Sequence, residues 1–334
     1  MSKLVIPKNY KSKLGTYTTQ TAIGDIKKWF EEDLKHALNL KRVSAPLFVA
    51  EKSGLNDDLS GLERPVSFGI PSLNYKGEVV HSLAKWKRMA LYRYKFHIGN
   101  GLCTDMNAIR RDEVLSNIHS IYVDQWDWEL VIDNSQRNIN FLKETVRNII
   151  SAIIKTLDKI KAKYPNIDLE IDENISFITS QELEDLYPNL SPKEREHAYV
   201  KDHNTTFILQ IGHKLKGGEP HDGRAPDYDD WDLNGDILFW HEPLQIAMEL
   251  SSMGIRVNSQ TLKEQLEISK ANNRLEYEFH KAVINDILPL TIGGGIGQSR
   301  LCMLLLQKVH IGEVQVSLWD EDTLKKCDGK INLL

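Results

Sequence analysis

Glycines followed by an arginine make the first chemically suggestive stretch: Gly293-Gly294-Gly295-Ile296-Gly297-Gln298-Ser299-Arg300-Leu301. Four glycines within five positions allow positive φ and leave room for a flat ligand against the main chain. Arg300 then offers a fixed fork of donors suited to phosphate. Taken alone, the stretch reads equally well as a strand–turn–helix joint with a surface arginine. A second cluster, Arg224 to Asp236, holds five aspartates in ten positions beside Tyr228 and Trp231. Its ordinary reading is a solvated acidic loop. Clustered hard oxygen donors also suit a magnesium ion that bridges phosphates, and Glu249 and Arg256 follow after a strand. Cations gather around Trp86 as Lys85, Lys87 and Arg88, either as a solvated basic face or as charges aimed at an anionic substrate. Arg110 and Arg111 end a glycine-rich segment that starts at Gly99.

These residues need elements to position them. Ile23, Ile26, Phe30, Leu34 and Leu38 recur at three- and four-residue intervals and predict an amphipathic helix over about 21–40. Residues 41–49 read as a strand containing Pro46, hence an edge or a subunit boundary. Residues 56–61 form a turn cluster. Ser82 can cap a short helix that carries the three cations. In Ser120 to Glu129, alternation puts Val123, Gln125 and Asp127 on one face and Asp124, Trp126 and Trp128 on the other. A buried carboxylate must be paired, so Asp124, Asp127 and Glu129 either face solvent or bind something cationic. The longest helical pattern runs from Asn138 to Tyr164 and stops at Pro165. Thr179 with Glu182, and Ser191 with Glu194, form capping boxes. Strands over 206–211 and 237–240 and helices over 259–269 and 273–287 complete the pattern. Runs of strands with helices outside them predict an α+β fold on a largely antiparallel sheet.

The 334 residues, 41% of them hydrophobic, suffice for a sizeable core. A net charge of −5 gives no global field favouring nucleic acid. No apolar run approaches the roughly 20 residues that span a bilayer, and residues 1–7 lack the apolar core of a signal peptide. Cys103, Cys302 and Cys327 are far apart, form no metal-type pair and fit a reducing compartment. A cytoplasmic protein with no membrane partner is expected. There is no Walker pattern, and Gln298 stands where a dinucleotide fingerprint has its last glycine, so any nucleotide site is of another type.

The order of these motifs resembles the three signature motifs of class II aminoacyl-tRNA synthetases, of the aspartate–asparagine–lysine branch. Pro46 matches the dimer-interface proline of the first motif, Arg110 the α-phosphate clamp of the second, and Gly293 to Arg300 the third, whose arginine holds the γ-phosphate side of ATP. Glu249 with Ser251 matches the magnesium-binding pair. Four longer blocks are similar to the ammonia-dependent asparagine synthetase (aspartate–ammonia ligase) family over nearly the whole chain: His81 to Arg88, Tyr122 to Glu129, Arg224 to Trp231, and Glu249 to Arg256.

The resemblance implies one catalytic domain over 1–334, with 21–50 at a homodimer interface. It implies activation of the β-carboxylate of L-aspartate by Mg-ATP to β-aspartyl-AMP, and displacement of AMP by ammonia. Arg110, Arg300 and Mg²⁺ would stabilise charge on phosphate. The metal would sit on Glu249 and Asp236. Lys87 and Arg256 would meet the substrate carboxylates or the acyl phosphate; Asp57, Gln125 and Asp127 the ammonium and amide groups; Ser252 the substrate. Asp229 and Asp236 would line the nucleotide and ammonia side. Gly293, Gly294 and Gly295 would floor adenine and ribose, and Asp229 or Asp57 would take the proton from ammonium. A tRNA synthetase proper is disfavoured by the acidic charge and by the short chain before the first helix. A non-catalytic paralogue is disfavoured because Arg110, Glu249 and Arg300 are all retained.

Overall fold

Period-two alternation in one strand organises the molecule. The structure, a computed structural model, describes residues 4–57 and 63–334. The strands are β1 (Leu40–Arg42), β2 (Phe48–Ala50), β3 (Ser67–Gly69), β4 (Lys76–Val79), β5 (Gly101–Ile109), β6 (Tyr122–Val131), β7 (Ser176–Thr179), β8 (Thr205–Leu209), β9 (Asp229–His241), β10 (Ile246–Arg256) and β11 (Thr291–Gly297). Eight of them form one sheet in the order β1-β5-β6-β11-β10-β9-β8-β7. Only the outermost pairs, β1 with β5 and β7 with β8, are parallel. The architecture is α+β on a largely antiparallel sheet, as the pattern of elements predicts.

One face of β6 carries Trp126, Trp128 and Leu130 into the main core. Helices α1 (Thr16–Leu38) and α3 (Ile139–Lys163) belong to that core and pack against each other. Ala22, Ile26, Phe30, Leu34 and Leu38 recur every fourth residue of α1, so one stripe is buried. Each fully buried side chain of this size contributes roughly 1.5–3 kcal/mol before entropy is subtracted. Asn138 caps α3 by accepting from the Phe141 N–H at 3.0 Å, and the helix stops before Pro165. Both capping boxes form, on α4 (Ser180–Leu186) and α5 (Pro192–Asp202).

Several expectations are corrected. The first helix starts at Thr16, not near 21. No strand spans 41–49: β1 ends at Arg42 and β2 opens a second, three-stranded sheet, β2-β4-β3. Pro46 lies between them, where its missing N–H costs no ladder bond. The 273–287 helix divides into a 3₁₀ turn (Asn272–Glu276) and a shorter helix, α7 (Glu278–Ile284), which follows α6 (Ser259–Ile268). The turn cluster at 56–61 lies, from residue 58 on, outside the described residues. No described helix is long and apolar enough to cross a membrane, and the three cysteines are free and buried.

Candidate active site

The opposite face of the sheet is polar, and register brings its residues into rows. Asp127 on β6 pairs with Gly295 on β11, Gly295 with Ser252 on β10, and Ser252 with Asp236 on β9. The next row outward runs Glu129, Gly293, Gly254 and Asn234. The glycines serve this face differently from the expectation. None of Gly293, Gly294, Gly295 and Gly297 has positive φ; they are ordinary strand residues. What they supply is width. A Cβ on Gly293 would stand 1.9 Å from Glu129 Oε2, and one on Gly295 2.4 Å from Gln125 Oε1. Gly294 points to the other face, against Met253. The space over Gly293 is therefore filled by protein side chains, and only Gly295 and Gly297 line the open cavity.

That cavity is lined by Arg110, His119, Gln125, Glu249, Ser252 and Arg300 among others. It adjoins a larger one, about 440 Å³, that shares Arg110, Gln125, Glu249 and Ser252 and adds His81, Arg224 and Tyr228. A third, more apolar cavity shares His119, Glu249 and Arg300 and adds Lys193. Glu249 is common to all three. Arg110 enters from the β5–β6 connection, and its nearest carboxylate is Glu113 at 3.8 Å. Arg300, in the first turn of α8 (Gln298–Leu305), donates to the Glu249 carbonyl at 2.8 Å and stands 3.9 Å from its carboxylate. Desolvation would raise the Glu249 carboxyl, but Arg300, Lys193 and Arg224 outweigh it and hold it below its ordinary range. Burial pushes Asp236 up to about 7, with Arg224 opposing and Glu249 adding to the rise.

Magnesium needs only one or two carboxylates when substrate phosphates and water complete its shell. Glu249, on the wall of all three cavities, is open to that mode, whereas Asp236 is paired with Arg224 and lines none of them. Among the described residues no group of three or more His, Cys, Asp or Glu side chains forms an all-protein cage. Ser251 is buried away from the cavities with its hydroxyl unpartnered, whereas Ser252 lines two of them.

The cations around Trp86 and the acidic segment, apart from exposed Asp232, are not solvated. They lie against one another below the cavity floor. Lys87, on α2 (Ala84–Arg93), is 1% exposed; it reaches Asp127 at 2.9 Å and donates to the Gly294 carbonyl at 2.9 Å. Arg256 grips Glu129 with two nitrogens, Nε at 2.9 Å and NH2 at 2.7 Å, and also pairs with Asp229. Arg88 donates to the carbonyls of Val257 and Pro289; burial lowers its pKa to about 10. Asp227 is shared by Lys85 at 3.2 Å, Arg274 at 2.8 Å and His280 at 3.0 Å. Asp230 pairs with Arg137, and Asp236 with Arg224. Asp124 meets Lys27 at 3.0 Å. Asp124, Asp127 and Glu129 thus each bind a cation, and the cation is the protein's own. The reason is electrostatic: a buried charge without a partner would cost several kcal/mol.

Of the residues proposed from sequence, Arg110, Gln125, Glu249, Ser252, Gly295 and Arg300 surround open space. Lys87, Asp127, Asp229 and Arg256 lie buried beneath it. Asp236 is buried against Arg224, and Asp57 is buried beside His81. His119, Lys193 and Arg224 line the cavities without having been singled out. Arg224 opens one of the conspicuous blocks, so a signal existed. Lys193 and His119 lie in segments with no chemical pattern. His119 is held neutral at pH 7 because burial, with Arg300 nearby, lowers its pKa to about 4.

The architecture is that of a class II aminoacyl-tRNA synthetase catalytic domain. The asparaginyl-tRNA synthetase of Pyrococcus horikoshii, solved in complex with asparaginyl-adenylate, is similar at a TM-score of 0.66 and 13% identity, over 91% of this chain and 70% of that one. Entamoeba histolytica asparaginyl-tRNA synthetase gives 0.62 and 15%, over 90% and 66%. The chain belongs to the aspartate–ammonia ligase family, whose sequence profile matches residues 17–331. Relatives named aspartate–ammonia ligase are 58% identical over 338 residues in Clostridium perfringens, covering all of both chains, and 54% over 333 residues in Pediococcus pentosaceus, covering 99% of each.

Proposed function

We propose that the chain makes L-asparagine from L-aspartate and ammonia with ATP, through a β-aspartyl-adenylate, releasing pyrophosphate and AMP. The observation that carries this reading is the convergence of Arg110, Glu249 and Arg300 on one cavity whose floor is Gln125, Ser252 and Gly295. Adenylation places negative charge on the α-phosphate and on departing pyrophosphate. Arg110 and Arg300 are preorganised donors for that charge, in a site where protein replaces most of the water. Glu249 is the carboxylate open to hold Mg²⁺, which would neutralise phosphate charge when bound.

Aspartate brings two carboxylates and an ammonium. Gln125 and Ser252 are the polar side chains exposed to meet it, with Arg224 across the larger cavity. Lys87 and Arg256 act from below: they pair with Asp127, Glu129 and Asp229, and together they hold the Glu129 carboxyl below its ordinary range against the effect of burial. The Asp127 Oδ1 oxygen has no hydrogen-bond partner, an acceptor left for a substrate ammonium. The chain is one catalytic unit that acts in the cytoplasm as a homodimer, a reading supported by its free thiols and by exposed Leu47 and Phe48 next to Pro46.

The test is a pair of assays. Aspartate should promote exchange of pyrophosphate into ATP in the absence of tRNA. Added ammonium should then give asparagine and AMP in equal amounts. Production of ADP would refute the adenylate.

A further inference from the structure

His81 is a buried group on a cavity wall that the adenylation step leaves unused. It is 1% exposed and lines the larger cavity with Gln125, Arg224, Tyr228 and Ser252. Its main-chain N–H donates to Asn56 Oδ1 at 2.9 Å, and its ring Nδ1 lies 3.0 Å from the Asp57 carbonyl oxygen. A carbonyl only accepts, so Nδ1 carries the proton of the neutral ring. Nε2 is then a bare lone pair, and it has no hydrogen-bond partner. Buried polar atoms are nearly always satisfied, so an orphan on a cavity wall points to a ligand. Of the two carboxylates expected to do proton work, Asp229 is engaged by Arg256, and Asp57 is the residue whose carbonyl orients the His81 ring.

Resting on the adenylation reading above, we infer that His81 is the general base of the second half-reaction, taking the proton from the incoming nitrogen. Ammonium gives one proton to Nε2 and becomes a nucleophile. The nitrogen lone pair forms the C–N bond at the β-carbonyl carbon. The bond from that carbon to the phosphate oxygen breaks, and its electron pair leaves with AMP. The nitrogen sheds its excess proton to the imidazole once that has passed the first to solvent. Nothing is oxidised or reduced. The Asp57 carbonyl, by accepting from Nδ1, keeps Nε2 the basic nitrogen and steadies the imidazolium that forms.

Other charged groups surround this ring: Asp57 beside it, Arg110, Glu113, Arg224 and Glu249 around the cavity, and Glu63, Arg64, Arg111 and Asp112 at its rim. Tyr228 stays a neutral phenol, since burial, Asp57 and Asp229 hold its pKa well above the ordinary value. Comparing variant with wild type at each pH cancels the titration of the rest.

The experiment uses H81N, whose amide can still donate to the Asp57 carbonyl but cannot take up a proton. Pyrophosphate exchange and asparagine formation from ammonium chloride are measured from neutral to alkaline pH. Exchange should persist, while asparagine formation at neutral pH falls on the order of 100-fold or more. The deficit should shrink as pH rises to where ammonia is unprotonated. A deficit that is the same at every pH, an equal loss of exchange, or no loss at all would each overturn the assignment. If H81N does not fold, H81Q is read by the same criteria. Absence of exchange in the wild type would defeat the adenylation reading, and this inference with it.

Discussion

Charge pairing is the residue-scale rule of this protein. Asp227 shows it most plainly: burial would raise its carboxyl, yet Lys85, His280 and Arg274 hold it far below the carboxylate range. It therefore takes up a proton less readily when folded than when unfolded. The stability it contributes is fully present above the ordinary carboxylate pKa of about 4 and is lost as pH falls below it. Removing one member of such a buried cluster should be costly. Asp227→Asn is expected to lose about 3–5 kcal/mol at pH 7, measured by denaturant unfolding. The deficit against wild type should narrow as the pH is lowered. An equal deficit at neutral and acidic pH would show that packing, not charge, is what the substitution disturbs. The same cluster ties the segment before β9, with Arg224 and Tyr228, to α2 and α7, so the residue scale already bears on the site.

At the scale of elements, much was legible in the sequence and the failures have physical causes. The 3.6-residue stripes of α1 and α3 and the alternation of β6 came through because one face of each meets a large apolar core. The capping boxes came through because they are local chemistry. The ordinary reading of the acidic segment from Arg224 to Asp236, a solvated loop, does not hold. Its partners, Lys85, Arg137, Arg256 and Arg274, lie 27 or more positions away, and no local pattern announces them. The glycine strand forms and leads into α8 as expected, but what its lack of side chains admits at Gly293 and Gly295 is Glu129, Arg256 and Gln125, which arrive from neighbouring strands. Residues 41–49 failed as a strand because the chain changes sheets there. That change leaves Leu47 56% and Phe48 45% exposed at a sheet margin, apolar surface that a second copy would cover. Leu47→Asp is expected to shift the protein from dimer to monomer in sedimentation analysis. A wild type that sediments as a monomer at all concentrations would remove the homodimer from the account.

On the scale of the whole molecule, two layers divide the work. The helical layer buries the apolar face of the sheet. The polar layer keeps charged groups in fixed positions over the other face, where rows from β6, β11, β10 and β9 lie side by side. The fold brings Arg110 and Arg300 to one cavity with Gln125, Ser252 and Gly295. Histidine, glutamine and serine side chains line the cavity next to it. What this arrangement accounts for is a carboxylate joined to the α-phosphate of ATP and then handed to ammonia. The most direct measurement follows the oxygen atoms. Aspartate labelled with heavy oxygen in its β-carboxylate is incubated with ATP and ammonium, and the products are weighed by mass spectrometry. The account predicts one labelled oxygen in the phosphate of AMP, with asparagine keeping the other. Label in inorganic phosphate beside ADP, or AMP that carries none, would contradict it.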